Sequence, residues 1–292
     1  MCLKPKGDEP LDGNDAIVTV IVLTRDESIH LARLVKSFDG VPCRFVVVDS
    51  GSTDGTMDLA RKLGATVCTH PFENHARQFN WALDTIPVHT PWTMRMDADE
   101  YLLPDLAAEM AARLPTAAPG IGGFLIRRRI YFWGRWIRHG GYYPTWLLRI
   151  WRTKWGRIED QMMDEHVVLK EGRILRMRRD FVDENLKGLG FWTDKHNRYA
   201  DRELLDLLHP TETGSLSGQP GLRRRLKLSW YARFPIFMRA WLYWVYRYFL
   251  RLGFLDGLPG MVFCFLQAFW YRFLVDAKLY EQKLEKTSGI RS

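Results

Sequence analysis

The chain has 292 residues, 47% hydrophobic and 26% charged, enough for one large core or one domain with an appendage, which excludes a disordered protein. Its net charge of +8 is unevenly spread: from Arg223 to Arg272 nine basic residues face one acid, Asp256, so composition divides the chain near residue 215. Cys2, Cys43, Cys68 and Cys264 show no paired spacing, which argues for a reducing compartment and against a structural zinc site. Residues 1–15 read as a polar tail without the apolar core of a secretory signal.

Ile17 to Leu23 is a nearly unbroken β-branched run, the pattern of a strand buried on both faces. Ser28 to Phe38 places Ile29, Leu31, Ala32, Leu34, Val35 and Phe38 at helical spacing. Arg44–Val48 is a second buried strand, and Thr53–Leu63 a helix stopped by Gly64, with Ser52 or Thr53 as its cap. Ala65–Cys68 is a short third strand and His75–Leu83 a helix. Trp92–Met96 is a fourth strand, and Pro104 opens another helix where its missing N–H costs little. Gly123–Ile130, Trp146–Trp151 and His166–Lys170 are further strands. Such alternation predicts an α/β fold with a mostly parallel, doubly wound sheet, which binds ligands beyond the carboxyl ends of its strands.

The acids gather at that edge. Asp26 and Glu27 follow strand one, and Asp49 ends strand two. Asp97 and Asp99 flank one small residue at the tip of strand four, on the same side if the strand continues through them. Paired hard oxygen ligands there suit a divalent cation that also holds a diphosphate, while a solvated acidic loop would carry the same residues. Asp49-Ser50-Gly51-Ser52-Thr53-Asp54-Gly55-Thr56 permits close backbone approach to a ligand, or makes a tight strand-to-helix turn. It lacks the lysine of a phosphate loop.

In chain order the motifs are Thr24-Arg25-Asp26-Glu27, the Asp49–Thr56 turn, Arg77-Gln78 with Asn80 and Ala82-Leu83, and Asp97-Ala98-Asp99-Glu100. Over residues 16 to 170 they resemble a family 2 glycosyltransferase of GT-A fold. Gln161–His166, Lys195–Tyr199 and the aromatic C-terminal segment resemble more narrowly the lipopolysaccharide core enzymes of that family. The resemblance implies an inverting, metal-dependent transfer of one sugar from a nucleotide-sugar, with uracil the expected base, to a lipid-linked or lipopolysaccharide-core acceptor at the cytoplasmic face of the inner membrane. It assigns Thr24, Asp26, Glu27, Asp49 and the small residue Gly51 to the nucleotide. It assigns Asp99 to Mg²⁺ or Mn²⁺, with Asp97 toward the ribose or the metal shell and His166 as a further ligand. A structural role for His166 competes with the last assignment.

Inversion requires a carboxylate that takes the acceptor's proton. Glu165, then Asp164, is the candidate, since adjacent acids raise one another's pKa; a solvated acidic turn is the alternative. Arg77 is either a diphosphate contact or a surface ion pair, and Lys195 and His196 are candidates for phosphate. The Q-x-x-R-W motif of processive family members does not follow the candidate base, which favours single transfer.

Trp230–Phe249 and Leu252–Tyr271 combine aromatic and aliphatic residues with arginines, and Pro259-Gly260 is expected to break the second. Residues 223–275 read as two interfacial or re-entrant helices on an anionic leaflet, or as a dimerisation or core-covering pair. Nucleic acid is disfavoured for want of a recognition signature. The expected organisation is a tail over 1–15, a transferase domain over 16–215 (nucleotide half 16–100, acceptor half 101–215) and a membrane-associating region over 216–292. A sugar nucleotidyltransferase would need a basic glycine-rich loop after strand one. A non-catalytic surface module would not need the acids. Oligomeric state is not legible.

Overall fold

The computed structural model describes residues 2–3, 16–159, 167–208 and 235–288. It divides into two compact units, residues 1–134 with 143–186, and residues 135–142 with 187–292.

In the first unit a mixed sheet runs in the order β1-β4-β3-β2-β5-β9-β7-β12-β6. These strands are Cys2–Leu3 (β1), Val18–Thr24 (β2), Cys43–Asp49 (β3), Thr66–Thr69 (β4), Trp92–Asp97 (β5), Glu100–Leu102 (β6), Ile121–Phe132 (β7), Thr145–Arg152 (β9) and Arg173–Asp183 (β12). β4, β3, β2 and β5 are parallel, whereas β9 runs antiparallel to both β5 and β7. The expected α/β class is therefore present, with four parallel strands in the first hundred residues and a further parallel pair, β7 with β12, beyond them.

Both faces of the parallel half are covered, which is why β2 shows no polar alternation. Val18, Val20 and Val22 pack with Leu31, Leu34, Met94 and Phe124 on one face. Ile21, Val46 and Val48 pack with Phe79 and Trp151 on the other. Helix α1 (Ser28–Lys36) departs from its expected apolar stripe: Ile29 is exposed and His30 is fully buried. His30 Nε2 accepts from the Leu186 amide at 2.9 Å, so its Nδ1 donates to Glu27, at 2.6 Å.

Helix α2 (Thr56–Lys62) starts three residues later than the expected Thr53. Its N-cap is Gly55 at φ +85°, a left-handed conformation that glycine adopts without cost, and neither Ser52 nor Thr53 caps it. Helices α3 (His75–Thr85) and α4 (Pro104–Arg113) begin where expected, α3 on an Asn74 side chain that accepts from the Arg77 amide at 2.7 Å. Strands Gly156–Ile158 (β10) and Val167–Leu169 (β11) form a separate antiparallel pair with Ile158 opposite Val167.

The expected boundary at 215–216 falls outside the described residues. Helix α5 (Gly188–Leu208) belongs to the second unit, where its Ala200 packs with Tyr271 and Val275. Glu203 meets the Tyr271 hydroxyl at 2.6 Å and also pairs with Arg272. Helix Met238–Val245 continues as a π-helical turn to Leu250, and a 3₁₀ turn, Gly253–Asp256, leads into Gly257–Cys264. Pro259-Gly260 does not break this helix, because Pro259 lies in its first turn, where backbone N–H groups have no helical partner. Among the described residues one helical stretch, Gly253–Glu285, is long and apolar enough to cross a membrane.

Cys43 and Cys264 carry free thiols, while Cys68 is disulfide-bonded, contrary to the unpaired reading of the four cysteines.

Candidate active site

The parallel register brings the strand-end acids together. Thr24 stands opposite Asp49 across β2 and β3, and Leu23 opposite Asp97 across β2 and β5.

Asp49 is fully buried. Its Oδ1 accepts from the amides of Gly51 at 2.9 Å and Ser52 at 2.8 Å. Its Oδ2 accepts from the hydroxyls of Thr24 at 2.8 Å and Ser52 at 2.5 Å. A buried carboxylate needs such donors, and here four of them hold the turn in one shape. Asp26, at φ +54°, takes the Thr53 amide on Oδ1 at 2.7 Å, while its own amide donates to Ser52 Oγ at 2.8 Å. The Glu27 amide donates to Thr56 Oγ1 at 2.8 Å, and the Ser28 amide to Asp54 Oδ2 at 3.0 Å. Burial pushes the Asp54 carboxyl up, but hydrogen bonds from Thr56 and Ser28 outweigh it and hold the group well below its ordinary value. Thr24, Asp26, Glu27, Asp49 and Gly51, all expected at the nucleotide, thus lace the loops after β2 and β3 to each other.

Asp97 and Asp99 are not two residues of one strand. β5 ends at Asp97, residues 98–99 form a turn, and β6 begins at Glu100. Asp97 keeps 46% of its side chain exposed. Asp99 Oδ2 accepts from Asn185 Nδ2 at 2.8 Å, while its carbonyl accepts from the Glu184 amide at 3.0 Å and from Arg33 at 3.3 Å. The segment after β12 therefore clamps the acidic turn. Beneath it Glu100 is buried, accepts the Asp97 amide at 2.8 Å and pairs with buried Arg149. Burial raises the Glu100 carboxyl well above its ordinary value despite the opposing Arg149 charge, with Asp97 and Asp183 adding to the rise.

The donor set fits a hard cation. Asp97 is half exposed, with Arg95 Nε 3.7 Å from one oxygen and Arg149 Nη2 3.5 Å from the other, and Asp99 has one oxygen committed to Asn185, so a cation would share Asp97 with these arginines. Among the described residues no group of three or more His, Cys, Asp and Glu side chains could hold a metal. The remaining ligands would then come from diphosphate and water. Asp164, Glu165 and His166 lie outside the described residues. The strand before their segment is held: Asn80 on α3 donates to the Ile158 carbonyl at 2.7 Å and accepts its amide at 3.0 Å. Arg157 pairs twice with Asp84, at 2.7 and 2.9 Å.

Arg77 is exposed and paired with Glu73 at 2.9 Å, the surface role of its two readings. His196 stacks on Trp192 with centroids 3.5 Å apart, its Nδ1 lies 2.8 Å from the Trp192 carbonyl, and burial lowers its pKa. Sequence reasoning missed Glu100, Arg149 and Asn185 as the residues that hold the acidic turn. An arginine inside an apolar strand and an acid following the paired acids were the available signals; nothing local marked Asn185.

This is an α/β protein whose parallel strands end on two interlaced loops and a clamped pair of carboxylates. The profile described as "Glycosyl transferase family 2" matches residues 19–186, more than half of the chain and ending where the first unit ends. The chain belongs to glycosyl transferase family 2. It is 34% identical over 93 residues to an uncharacterised glycosyltransferase of Rickettsia conorii, a match that spans about a third (32%) of each protein. It is 25% identical over 290 residues to the lipopolysaccharide core biosynthesis glycosyltransferase LpsC of Rhizobium meliloti, covering 91% of this chain and 92% of LpsC. Among solved structures it is similar to S. aureus TarS residues 1–349 with UDP-GlcNAc, at TM-score 0.47 and 13% identity over 91% of this chain and 92% of that one.

Proposed function

We propose that the chain transfers one sugar, with inversion, from a UDP-sugar to a lipid-linked or lipopolysaccharide-core acceptor at the cytoplasmic face of the membrane. The observation that carries this reading is the register placing Thr24, Asp49 and Asp97 side by side on one sheet edge, with Asp99 clamped in the adjoining turn. Likeness to LpsC over nearly the whole chain supports the acceptor class.

In this reading the laced loops present a fixed wall to the nucleotide, so no loop ordering opposes its binding. Asp97 and Asp99 would hold Mg²⁺ or Mn²⁺, which supplies positive charge to a leaving diphosphate whose negative charge grows in the transition state. The acceptor oxygen attacks the anomeric carbon as the bond to the diphosphate breaks on the opposite face. Its proton passes to Glu165, or to Asp164 as the alternative base.

The test is thermal protection of the full chain by UDP-, GDP-, ADP- and dTDP-sugars, each with metal and with EDTA. A nucleotide at a hundred times its Kd is expected to add about 2.7 kcal/mol of stability. Protection by the UDP-sugar that is lost in EDTA and in Asp99→Ala is the expected result. A folded protein that no nucleotide-sugar protects, with vesicles or without, overturns the reading.

A further inference from the structure

The second unit holds a feature the donor site does not use. Between helices Met238–Val245 and Gly257–Cys264 the chain turns, and the turn carries its apolar side chains outward. Phe249, Leu250, Leu252, Phe254, Leu255 and Leu258 are all exposed, Leu250 by 73% and Leu258 by 65%. Isolated exposed leucines are ordinary, but six within ten residues form a patch.

This turn is firmly built. Leu252 sits at φ +59°, a left-handed conformation that an L-residue adopts only at a cost the surrounding packing must offset. Beneath it Gly253 packs so closely that a Cβ would come within 2.8 Å of Cys264 Sγ, and one on Gly260 within 2.4 Å of Asp256 Cβ. Asp256 is 3% exposed and spends both oxygens on one residue, taking the His139 amide at 2.8 Å and His139 Nδ1 at 2.7 Å. The carboxylate only accepts, so Nδ1 donates, and the other nitrogen, Nε2, belongs to a ring one-third exposed.

Cations surround the same turn. The Arg251 carbonyl accepts the Gly140 amide at 2.8 Å, and the Arg251 guanidinium lies where a Cβ on Gly141 would approach it to 3.2 Å, so glycine makes its room. Arg247 donates to the Gly140 carbonyl at 2.7 Å and to the Tyr243 hydroxyl, both uncharged acceptors. Arg138 is exposed and stacks 5.3 Å over Trp136. Among the described residues the one acid in this group, Asp256, is buried and committed to His139.

We propose that residues 249–258 dip into the acyl boundary of an anionic bilayer, and that Arg138 and Arg251 hold the phosphates of its lipids. The proposal rests on the membrane-face reading above and says how the chain sits there. An apolar tip rimmed by cations matches an anionic leaflet in both polarity and charge, whereas a second copy of the same turn would bring like charges together. It does not span. Beyond Trp270 the long helix turns charged groups to its own unit: Asp276 pairs with Arg239, Arg272 with Glu203, and Lys278 with Asp201. Three such pairs inside a bilayer would be expensive.

The experiment is co-sedimentation of the full chain with phosphatidylcholine vesicles, with and without phosphatidylglycerol, alongside donor protection and light scattering. Wild type is expected to bind and to prefer the anionic vesicles. Leu250→Glu with Leu258→Glu, both exposed and so tolerated by the fold, is expected to lower partition about tenfold or more. Arg251→Gln is expected to lower it roughly fivefold on anionic vesicles alone. Arg138→Gln should do the same in kind. Undiminished binding by the double variant overturns the tip, and equal losses on both vesicle types overturn the phosphate site. A dimer that the double variant dissolves, in place of vesicle binding, overturns the proposal as a whole. Donor protection fails separately if the transferase reading is the one at fault.

Discussion

The two units manage polarity in opposite ways. At the sheet edge of the first, polar groups are buried and saturated: Asp49 with four donors, Glu100 with Arg149 and the Asp97 amide. At the turn of the second, apolar groups stand outside, while the acids Asp256 and Asp276 are inside with partners. A site that must meet a charged small molecule repeatedly gains from fixed loops, since ordering them at each encounter would subtract from binding. A surface that meets an extended apolar phase gains nothing from an inward-facing core at that point. On the proposed reading the first unit carries the small-molecule chemistry and the second the surface attachment.

The largest expected effect falls on catalysis in the first unit alone. Asp99→Ala should lower kcat about a thousandfold while leaving the melting temperature and vesicle binding near wild type, because it removes charge at the leaving group and little packing. Equal loss of fold would break the comparison. Next comes Asp276→Ala in the second unit, which removes one partner of a buried ion pair and should cost about 3–5 kcal/mol by denaturant unfolding. Asp49→Ala should cost about 2–4 kcal/mol, since the Thr24 and Ser52 hydroxyls and two amides lose their acceptor, and donor protection should fall with it. A variant with normal stability and no donor protection would instead place Asp49 in direct contact with the nucleotide. Asn80→Ala, losing two hydrogen bonds to Ile158, should cost about 1–2 kcal/mol.

The smallest effect is on pH dependence. The Asp54 carboxyl is held below its ordinary value in the folded chain, so its contribution is fully present above the unfolded pKa and is lost as pH falls through the folded one. Asp54→Asn should flatten the acid limb of the stability profile below about pH 4. The gain is small because the group is largely exposed. An unchanged acid limb would show that the loop lacing survives protonation of Asp54.

Local pattern alone determined a good deal. Periodicity marks strand and helix, so β2, β3, β5, α3 and α4 lie where their residues put them, within a residue or two. The order and spacing of the four motifs were enough to name the family that residues 19–186 match. Helix α2 was misjudged at its start because a left-handed Gly55, rather than a hydroxyl cap, begins it, and a backbone sign leaves no trace in side-chain period.

Other features come only from residues far apart in the chain. His30 reads as a polar break in an amphipathic helix until Leu186, 156 residues on, supplies its partner. Asn185 is an ordinary polar residue until a sheet of mixed direction brings it to Asp99, 86 positions away. The place of α5 is set in the same way, since it has average composition and takes its position from Tyr271 and Arg272. Side-chain period and strand-end chemistry are local properties, and a sequence carries them in the open. Which buried polar group finds which partner depends on how distant segments approach, and here that was set by the register of β5, β6 and β12 and by the packing of α5 against the last helix.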